Sequence, residues 1–263
     1  PPAHPFRQGQ KPPVRQAWFG CACCPPNVAR LLASLGEYVY TTGQNQVAVH
    51  LYTASRATID VNGVEVALEQ STDYPFDERV GLAVSPSAEV HFALCLRLPG
   101  WCRRPVVTVN DTEVNLDEVT DRGYACIERT WSPGDVVELT LPMPVERIQA
   151  HPRLRHAVGK VALVRGPLVY CIEEVDNDPN VFDIRLPRDA EITVAPGPDS
   201  LEGMPVLRTT ARRRTEDDWD DQLYRPVDDH DTQRAVDLTA VPYFAWGNRR
   251  PGEMTVWIEE DRS

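Results

Sequence analysis

Three cysteines within four residues are the part of this sequence best suited to chemistry. Cys21, Cys23 and Cys24 directly precede Pro25 and Pro26. The thiolate form of cysteine is both the nucleophile and the metal ligand, and a helix start, such as the one predicted below, stabilises negative charge. At a tight turn adjacent sulfurs can reach one metal ion, and the two prolines stiffen that turn and provide no backbone N–H. We therefore interpret the segment as a thiolate or zinc site.

The same cysteines have a plainer interpretation as buried core thiols at the start of a helix, which is the usual role of an isolated cysteine. Three thiols so close together favour the chemical interpretation. The sequence has no second Cys-x-x-Cys and no His-x-x-x-His pair, so this segment alone cannot complete a tetrahedral zinc site. We expect the remaining ligands to come from sequence that precedes this chain in a longer protein, or from a partner.

One helix and many short strands are predicted to position this site. Apolar residues from Pro26 to Leu35 recur at the spacing of one helix face, and Gly36 follows the last of them. Beyond Gly36, apolar and polar residues alternate in short runs separated by turn residues, which is typical of β-sandwiches. The clearest strands are predicted at 47–52, 92–98, 137–141 and 160–172, the last with a break at Gly166-Pro167.

A different composition marks residues 196–234. They combine Pro196-Gly197-Pro198, three consecutive arginines and two clusters of acidic residues. Clustered carboxylates can bind calcium, but these lack the spacing of an EF-hand loop. We predict a long solvated loop here.

The bulk composition limits the classes of partner. A net charge of −12 argues against binding nucleic acid through a basic surface, and no apolar run is long enough to span a membrane. The four other cysteines are scattered among predicted strands, and disulfide frameworks belong mainly to small secreted domains. We predict that these four are reduced core residues and that the protein is cytoplasmic. They are Cys95, Cys102, Cys126 and Cys171.

Two segments far apart in the chain carry specific motifs. The first is Trp18-Phe19-Gly20-Cys21-Ala22-Cys23-Cys24-Pro25-Pro26-Asn27, followed by Ala29-Arg30. The second is Val241-Pro242-Tyr243-Phe244-Ala245-Trp246-Gly247-Asn248-Arg249, followed by Pro251-Gly252-Glu253. Together, and in this order, they resemble the motifs of glycoside hydrolase family 127, the retaining β-L-arabinofuranosidases that use a zinc-bound cysteine.

The resemblance implies a mainly β fold that follows a helical domain in the sequence. In the family a helical (α/α)6 barrel precedes β-sandwich domains, so residues 1–36 would be the C-terminal remnant of the barrel. Residues 37–145 would form the first β-sandwich domain and residues 146–263 the second. A homodimer through the sandwich domains is possible on this interpretation.

The resemblance also implies roles for the cysteines. Cys23 would be the catalytic nucleophile and a zinc ligand, Cys24 would be a second zinc ligand, and Cys21 would be structural. The acid/base glutamate and the other zinc ligands would come from the barrel, so we expect this chain alone to be inactive. The expected substrate is an arabinose-containing oligosaccharide or glycoconjugate, or a related sugar.

A second function from another class stays open. The chain could be a non-catalytic β-sandwich module that binds carbohydrate or mediates dimerisation. The cysteine motif favours the enzyme, because a pure binding module has no use for three clustered thiols. Affinity for polysaccharide in residues 37–263 alone would favour the module.

Overall fold

The computed structural model describes residues 23–215, 224 and 233–261. These residues form two compact units, one ending at Met143 and the other beginning at Pro144. Strands predominate in both, so the predicted mainly β fold class is confirmed. Within the described ranges, no helix is both long and apolar enough to cross a membrane.

The predicted helix is confirmed as α1, Cys24–Ser34, and a 3₁₀ turn, Leu35–Tyr38, continues it. Proline in the first turn suits a helix start, since the backbone N–H groups there have no partner within the helix. None of the eleven residues of α1 is buried. Its apolar stripe is solvent-exposed, with Leu31 55% and Leu32 65% exposed. The apolar spacing therefore predicts the helix correctly, but no other described part of this chain packs against its apolar face.

The first unit is a sandwich of two sheets. The five-stranded sheet has the order β1-β2-β6-β10-β9, and the six-stranded sheet has the order β3-β4-β5-β11-β7-β8. Because alternate residues of a strand face opposite sides, Leu68 and Leu82 of one sheet and Leu94 of the other join one fully buried cluster. The strands are β1 Tyr40–Gly43, β2 Gln46–Val49, β3 Ser55–Val61, β4 Val64–Ser71, β5 Arg79–Pro86, β6 Val90–Arg97, β7 Val106–Val109, β8 Thr112–Glu113, β9 Thr120–Asp121, β10 Tyr124–Trp131 and β11 Asp135–Thr140, with helix α2 at Leu116–Val119.

The second unit is one continuous sheet that folds back on itself. Its order is β12-β13-β20-β15-β17-β18-β14-β19, with β16 beside β17, and β13 also pairs with β14, which closes a ring of six strands. The predicted break at Gly166-Pro167 is confirmed as the turn between β13 and β14. The strands are β12 Val145–Gln149, β13 Lys160–Arg165, β14 Leu168–Glu173, β15 Ile184–Pro187, β16 Thr193–Pro196, β17 Pro205–Arg214, β18 Gln233–Pro242, β19 Met254–Thr255 and β20 Ile258–Asp261; helix α3 is Glu174–Asn177, and 3₁₀ turns lie at Arg155–Ala157, Val181–Asp183, Asp199–Leu201 and Tyr243–Ala245.

The predicted solvated loop at 196–234 is wrong for residues 205–214, and also for residues 233–234, which begin β18. Residues 205–214 form the ten-residue strand β17, and its residues 207–214 pair with β18. Its Arg213 is buried, and its guanidinium donates to the backbone carbonyls of Asn177 and Pro179. These carbonyls bind both terminal nitrogens of the charged group inside the unit. The acidic clusters at 216–221 and 228–231 lie outside the described residues.

The prediction of four reduced core cysteines is wrong for two of them. Cys95 and Cys126 form a disulfide between β6 and β10, where the two residues lie directly opposite each other. Cysteines can be bridged only when their Cα atoms lie within about 7 Å of each other, and those of Cys95 and Cys126 are 4.0 Å apart. Cys102 and Cys171 are reduced, as predicted. The disulfide removes part of the argument for a reducing compartment, and the cytoplasmic location stays a prediction.

Candidate functional site

The two described cysteines of the first motif lie at the very start of α1. Cys23 is the N-cap residue and Cys24 the first residue of the helix, and both are exposed. Their Sγ atoms are 3.6 Å apart. Two sulfurs on one tetrahedral zinc ion, each ~2.3 Å from the metal, lie about 3.8 Å from each other. The sulfur separation therefore suits two ligand positions of a single zinc ion.

The two prolines act on the sulfur of the N-cap residue. An N-cap side chain normally accepts a hydrogen bond from the N–H of the second or third helical residue. In α1 these residues are Pro25 and Pro26, which have no N–H, and Cys23 makes no capping hydrogen bond. The sequence therefore keeps the thiol out of the helix cap, which would otherwise compete with a metal or a substrate for its lone pairs.

Two side chains of the same helix face hold the backbone of Cys23. The Asn27 side-chain amide Nδ2 donates to the Cys23 carbonyl at 2.9 Å. The Arg30 Nη1 donates in turn to Asn27 Oδ1 at 3.2 Å. Both belong to the first motif, and sequence reasoning assigned no role to either one.

The rest of a metal site is not found in the described residues. Across residues 23–215, 224 and 233–261, no three or more His, Cys, Asp or Glu side chains are grouped so that they could hold a metal ion. Cys21 lies outside these residues. The structure thus brings Cys23 and Cys24 together, and their roles as nucleophile and zinc ligands stay predictions.

The second motif contains a buried ion-pair cluster. Arg249 Nη1 donates to Asp176 Oδ1 at 2.6 Å, and its Nη2 donates to Glu173 Oε2 at 2.6 Å. The Arg249 side chain is only 11% exposed and that of Glu173 4%. The hydrogen bonds to Asp176 raise the pKa of Arg249 further above its ordinary value, so it remains charged. Charged hydrogen bonds of this kind are stronger than neutral ones.

The same motif closes onto helix α3. Glu253 N donates to Glu174 Oε2 at 2.8 Å, while the Glu253 carbonyl accepts from Glu174 N at 2.9 Å. A Cβ on Gly252 would lie 2.9 Å from the Glu174 Cβ, so this position requires glycine. We call residues 241–253 the closing segment. Its polar groups bind β14 and α3, so its role in the described structure is to hold the second unit together.

Sequence reasoning missed the partners of the closing segment. Glu173, Glu174 and Asp176 directly follow the predicted strand that ends at Ile172. Acidic residues right after an apolar strand were a visible signal. The sequence does not show that an arginine more than seventy residues later binds them, since that contact depends on the neighbouring strands β14 and β18.

An open concavity of about 720 Å³ lies on β17 and β18 of the second unit. It is lined mainly by hydroxyl and charged side chains, among them Glu191, Arg208, Thr210 and Asp237. It contains no thiol or imidazole. It therefore offers hydrogen bonds to a polar molecule.

Fold and sequence together define the class of the molecule. Two β domains follow, in sequence, a helix that has paired thiols at its start. Two family models match it in succession. The "Beta-L-arabinofuranosidase, GH127 middle domain" matches residues 46–143, and the "Glycoside hydrolase family 127 C-terminal domain" matches residues 145–259. The chain therefore belongs to glycoside hydrolase family 127.

Characterised relatives agree with this assignment. The chain is 36% identical to the non-reducing end β-L-arabinofuranosidase of Bifidobacterium longum, over 92% of this chain and 38% of that protein. It is 50% identical to a GH127 β-L-arabinofuranosidase from Geobacillus stearothermophilus T6, with a TM-score of 0.89 over 95% of this chain and 39% of that one. A second GH127 β-arabinofuranosidase structure is 34% identical with a TM-score of 0.83, over 94% and 40% of the two chains. The chain thus spans about two fifths of the length of these relatives.

Proposed function

We propose that the complete polypeptide containing this chain is a retaining glycoside hydrolase that releases β-L-arabinofuranose or a related sugar, with Cys23 as the nucleophile. The observation that carries the proposal is the pair of exposed thiols on Cys23 and Cys24, with sulfurs 3.6 Å apart at a helix start. Membership of family 127 and the names of the relatives support the substrate class.

In this mechanism Cys23 attacks the anomeric carbon of the sugar. A carbon–sulfur bond forms as the bond to the leaving oxygen breaks, and a glutamic acid from outside this chain protonates that oxygen. Water, deprotonated by the same glutamate, then displaces the sulfur, so that two inversions give retention and the thiolate is restored. Zinc bound at this site would keep the thiols ionised. Cys24 lies beside Cys23 to share that metal.

The proposal places helix α1 in a helical domain that provides the acid/base glutamate and the other zinc ligands. The exposed apolar stripe of Leu31, Leu32 and their neighbours supports this placement, because such a stripe normally faces a core. This chain alone is then inactive towards arabinofuranosides. The substrate is an arabinose-containing oligosaccharide or glycoconjugate; the homodimer and the cytoplasmic location stay predictions.

Zinc content and activity, measured on the complete polypeptide and on residues 1–263, test the proposal. We expect one zinc and β-L-arabinofuranosidase activity in the complete polypeptide, both lost or weakened by Cys24→Ser, and no activity in residues 1–263. A complete polypeptide without zinc that cleaves arabinofuranosides at full rate would contradict the mechanism. Zinc-independent activity of residues 1–263 would contradict the division of the site.

A further inference from the structure

A hydrogen-bond relay on α1 ends at the backbone of the nucleophile. Arg30 holds the Asn27 carboxamide at 3.2 Å, and that carboxamide donates to the Cys23 carbonyl at 2.9 Å. We propose that Asn27 and Arg30 are positioning residues for Cys23, which they act on through its carbonyl. This inference rests on the proposed function of Cys23.

The bonded carbonyl belongs to the peptide group that joins the two cysteines. This group is planar and rigid, so its rotation changes the ψ angle of Cys23 and the φ angle of Cys24 together. Each rotation moves the two sulfurs relative to each other. A donor fixed on the Cys23 carbonyl therefore holds both the 3.6 Å sulfur separation and the direction of Cys23 towards a sugar.

The proline pair removes the usual way of orienting an N-cap side chain. Because Pro25 and Pro26 provide no N–H, the Cys23 side chain cannot be oriented by capping the helix, and no such bond is present. The relay instead acts on the backbone carbonyl of Cys23.

The exposure of the relay separates positioning from stability. Asn27 and Arg30 are both exposed, and hydrogen bonds between exposed groups contribute little to the free energy of unfolding because water replaces them. Loss of a group that orients a metal ligand typically costs 10- to 100-fold in activity or metal affinity. Positioning therefore predicts a large chemical effect with a small effect on folding.

The test uses the complete polypeptide with Asn27→Ala, Asn27→Gln and Arg30→Met. The matched control is Ser34→Ala, which removes a side-chain hydrogen bond to the Arg30 carbonyl at 3.1 Å in the same helix. We measure kcat and KM on an aryl β-L-arabinofuranoside, zinc affinity by chelator competition, and the thiolate-to-metal absorption band of the cobalt-substituted protein. Thermal unfolding serves as the folding control.

For Asn27→Ala we expect kcat to fall about 10- to 100-fold, with KM changed less than about 2-fold and a shifted cobalt band. Arg30→Met has a smaller effect of the same kind, Asn27→Gln restores part of kcat because it keeps the carboxamide, and Ser34→Ala changes nothing. An unchanged cobalt band and kcat in both Asn27→Ala and Arg30→Met would overturn the inference. If Asn27→Ala unfolds, Arg30→Met decides, because it leaves Asn27 in place.

Failure of this inference is distinguishable from failure of the proposed function. Full activity in Cys23→Ser would show that Cys23 is not the nucleophile. The relay would then have no nucleophile to position. An inactive Cys23→Ser beside a fully active Asn27→Ala with unchanged zinc affinity would reject only the relay.

Discussion

The first motif, with its cysteines, and the closing segment are both specific sequence motifs, yet their functional groups lie in opposite environments. At the start of α1, Cys23, Cys24 and the apolar stripe of the helix are exposed. In the closing segment, the guanidinium of Arg249 is enclosed by the carboxylates of Glu173 and Asp176. One motif directs its reactive groups outward, and the other uses its polar groups within its own unit.

This difference separates motifs that are explained by folding from motifs that are not. Buried charges persist only when they are paired and hydrogen-bonded, which accounts for the residues of the closing segment. Folding of the described chain gives no reason for two exposed thiols that make no helix cap beside two prolines. We therefore propose a chemical explanation for them, and this proposal is the basis of the proposed function.

The largest expected effect is the loss of catalysis in Cys23→Ser. Removal of a nucleophile typically lowers kcat by on the order of 10⁴-fold or more. Because Cys23 is exposed, the free energy of unfolding should change by less than about 0.5 kcal/mol. Enzyme assays and urea unfolding on the same preparation measure both. A Cys23→Ser variant with a clearly lower unfolding free energy but unchanged specific activity would reverse the comparison between the two segments.

Arg249→Met should produce the opposite result in the closing segment. It leaves Glu173 and Asp176 as unpaired carboxylates in a buried site, at a cost of about 3–5 kcal/mol in unfolding free energy. The matched control is Arg79→Met, which breaks an exposed ion pair with Asp77 and should cost about 0–1 kcal/mol. Urea unfolding of residues 1–263 measures both. Equal losses of unfolding free energy in the two variants would show that the ion-pair cluster does not stabilise the second unit.

Gly252→Ala should have a smaller effect at the same place. The new Cβ would lie 2.9 Å from Glu174 Cβ and 3.1 Å from its Oε2, and overpacking of this kind costs about 1–3 kcal/mol. Gly100→Ala is the control, since nothing lies within 4 Å of the Cβ it would add. The difference in thermal midpoint between the two variants is the measurement, and a Gly252→Ala protein as stable as the control would contradict the close packing.

The smallest effect concerns Cys171, the buried counterpart of the exposed thiols. Burial, and then the nearby charge of Glu173, raise the pKa of Cys171 from 9.0 to about 12. The folded protein then keeps a proton that the unfolded chain loses. This contribution to stability is complete below pH 9 and is lost as the pH rises through 12, with a slope of at most about 1.4 kcal/mol per pH unit.

Cys171→Ala isolates this contribution from the tyrosines that titrate in the same range. Unfolding free energies from pH 8 to pH 11 should decline less steeply in Cys171→Ala than in the unchanged protein. Parallel curves would show that the Cys171 thiol ionises as readily in the folded state as in the unfolded chain.

Local patterns in the sequence predicted the elements that local forces determine. The helix from Pro26 to Leu35 follows from apolar spacing and the first-turn prolines, and its observed bounds differ by only two residues at the start and one at the end. The turn at Gly166-Pro167 was predicted for similar reasons. The adjacency of Cys23 and Cys24 in the sequence also placed their sulfurs together correctly.

Contacts between distant segments were not predictable in this way. The Cys95–Cys126 disulfide depends on the register of β6 against β10, which no local pattern fixes. Strand β17 was missed because its three consecutive arginines do not show the alternation of apolar and polar residues. Arg213 is buried there because the carbonyls of Asn177 in α3 and of Pro179 bind its guanidinium. The relay from Arg30 to Cys23 lies within one helix, but its function requires the observed hydrogen bonds.

The most direct test of the central claim is to trap the sugar on the nucleophile. The complete polypeptide is incubated with an arabinofuranoside carrying an activated leaving group, quenched in acid and digested, and the peptide around residues 21–27 is examined by mass spectrometry. We expect one pentosyl group on Cys23, absent from Cys24 and from the Cys23→Ser variant. A pentosyl group on another residue, or an unmodified Cys23 during steady turnover with a burst of leaving group, would contradict it.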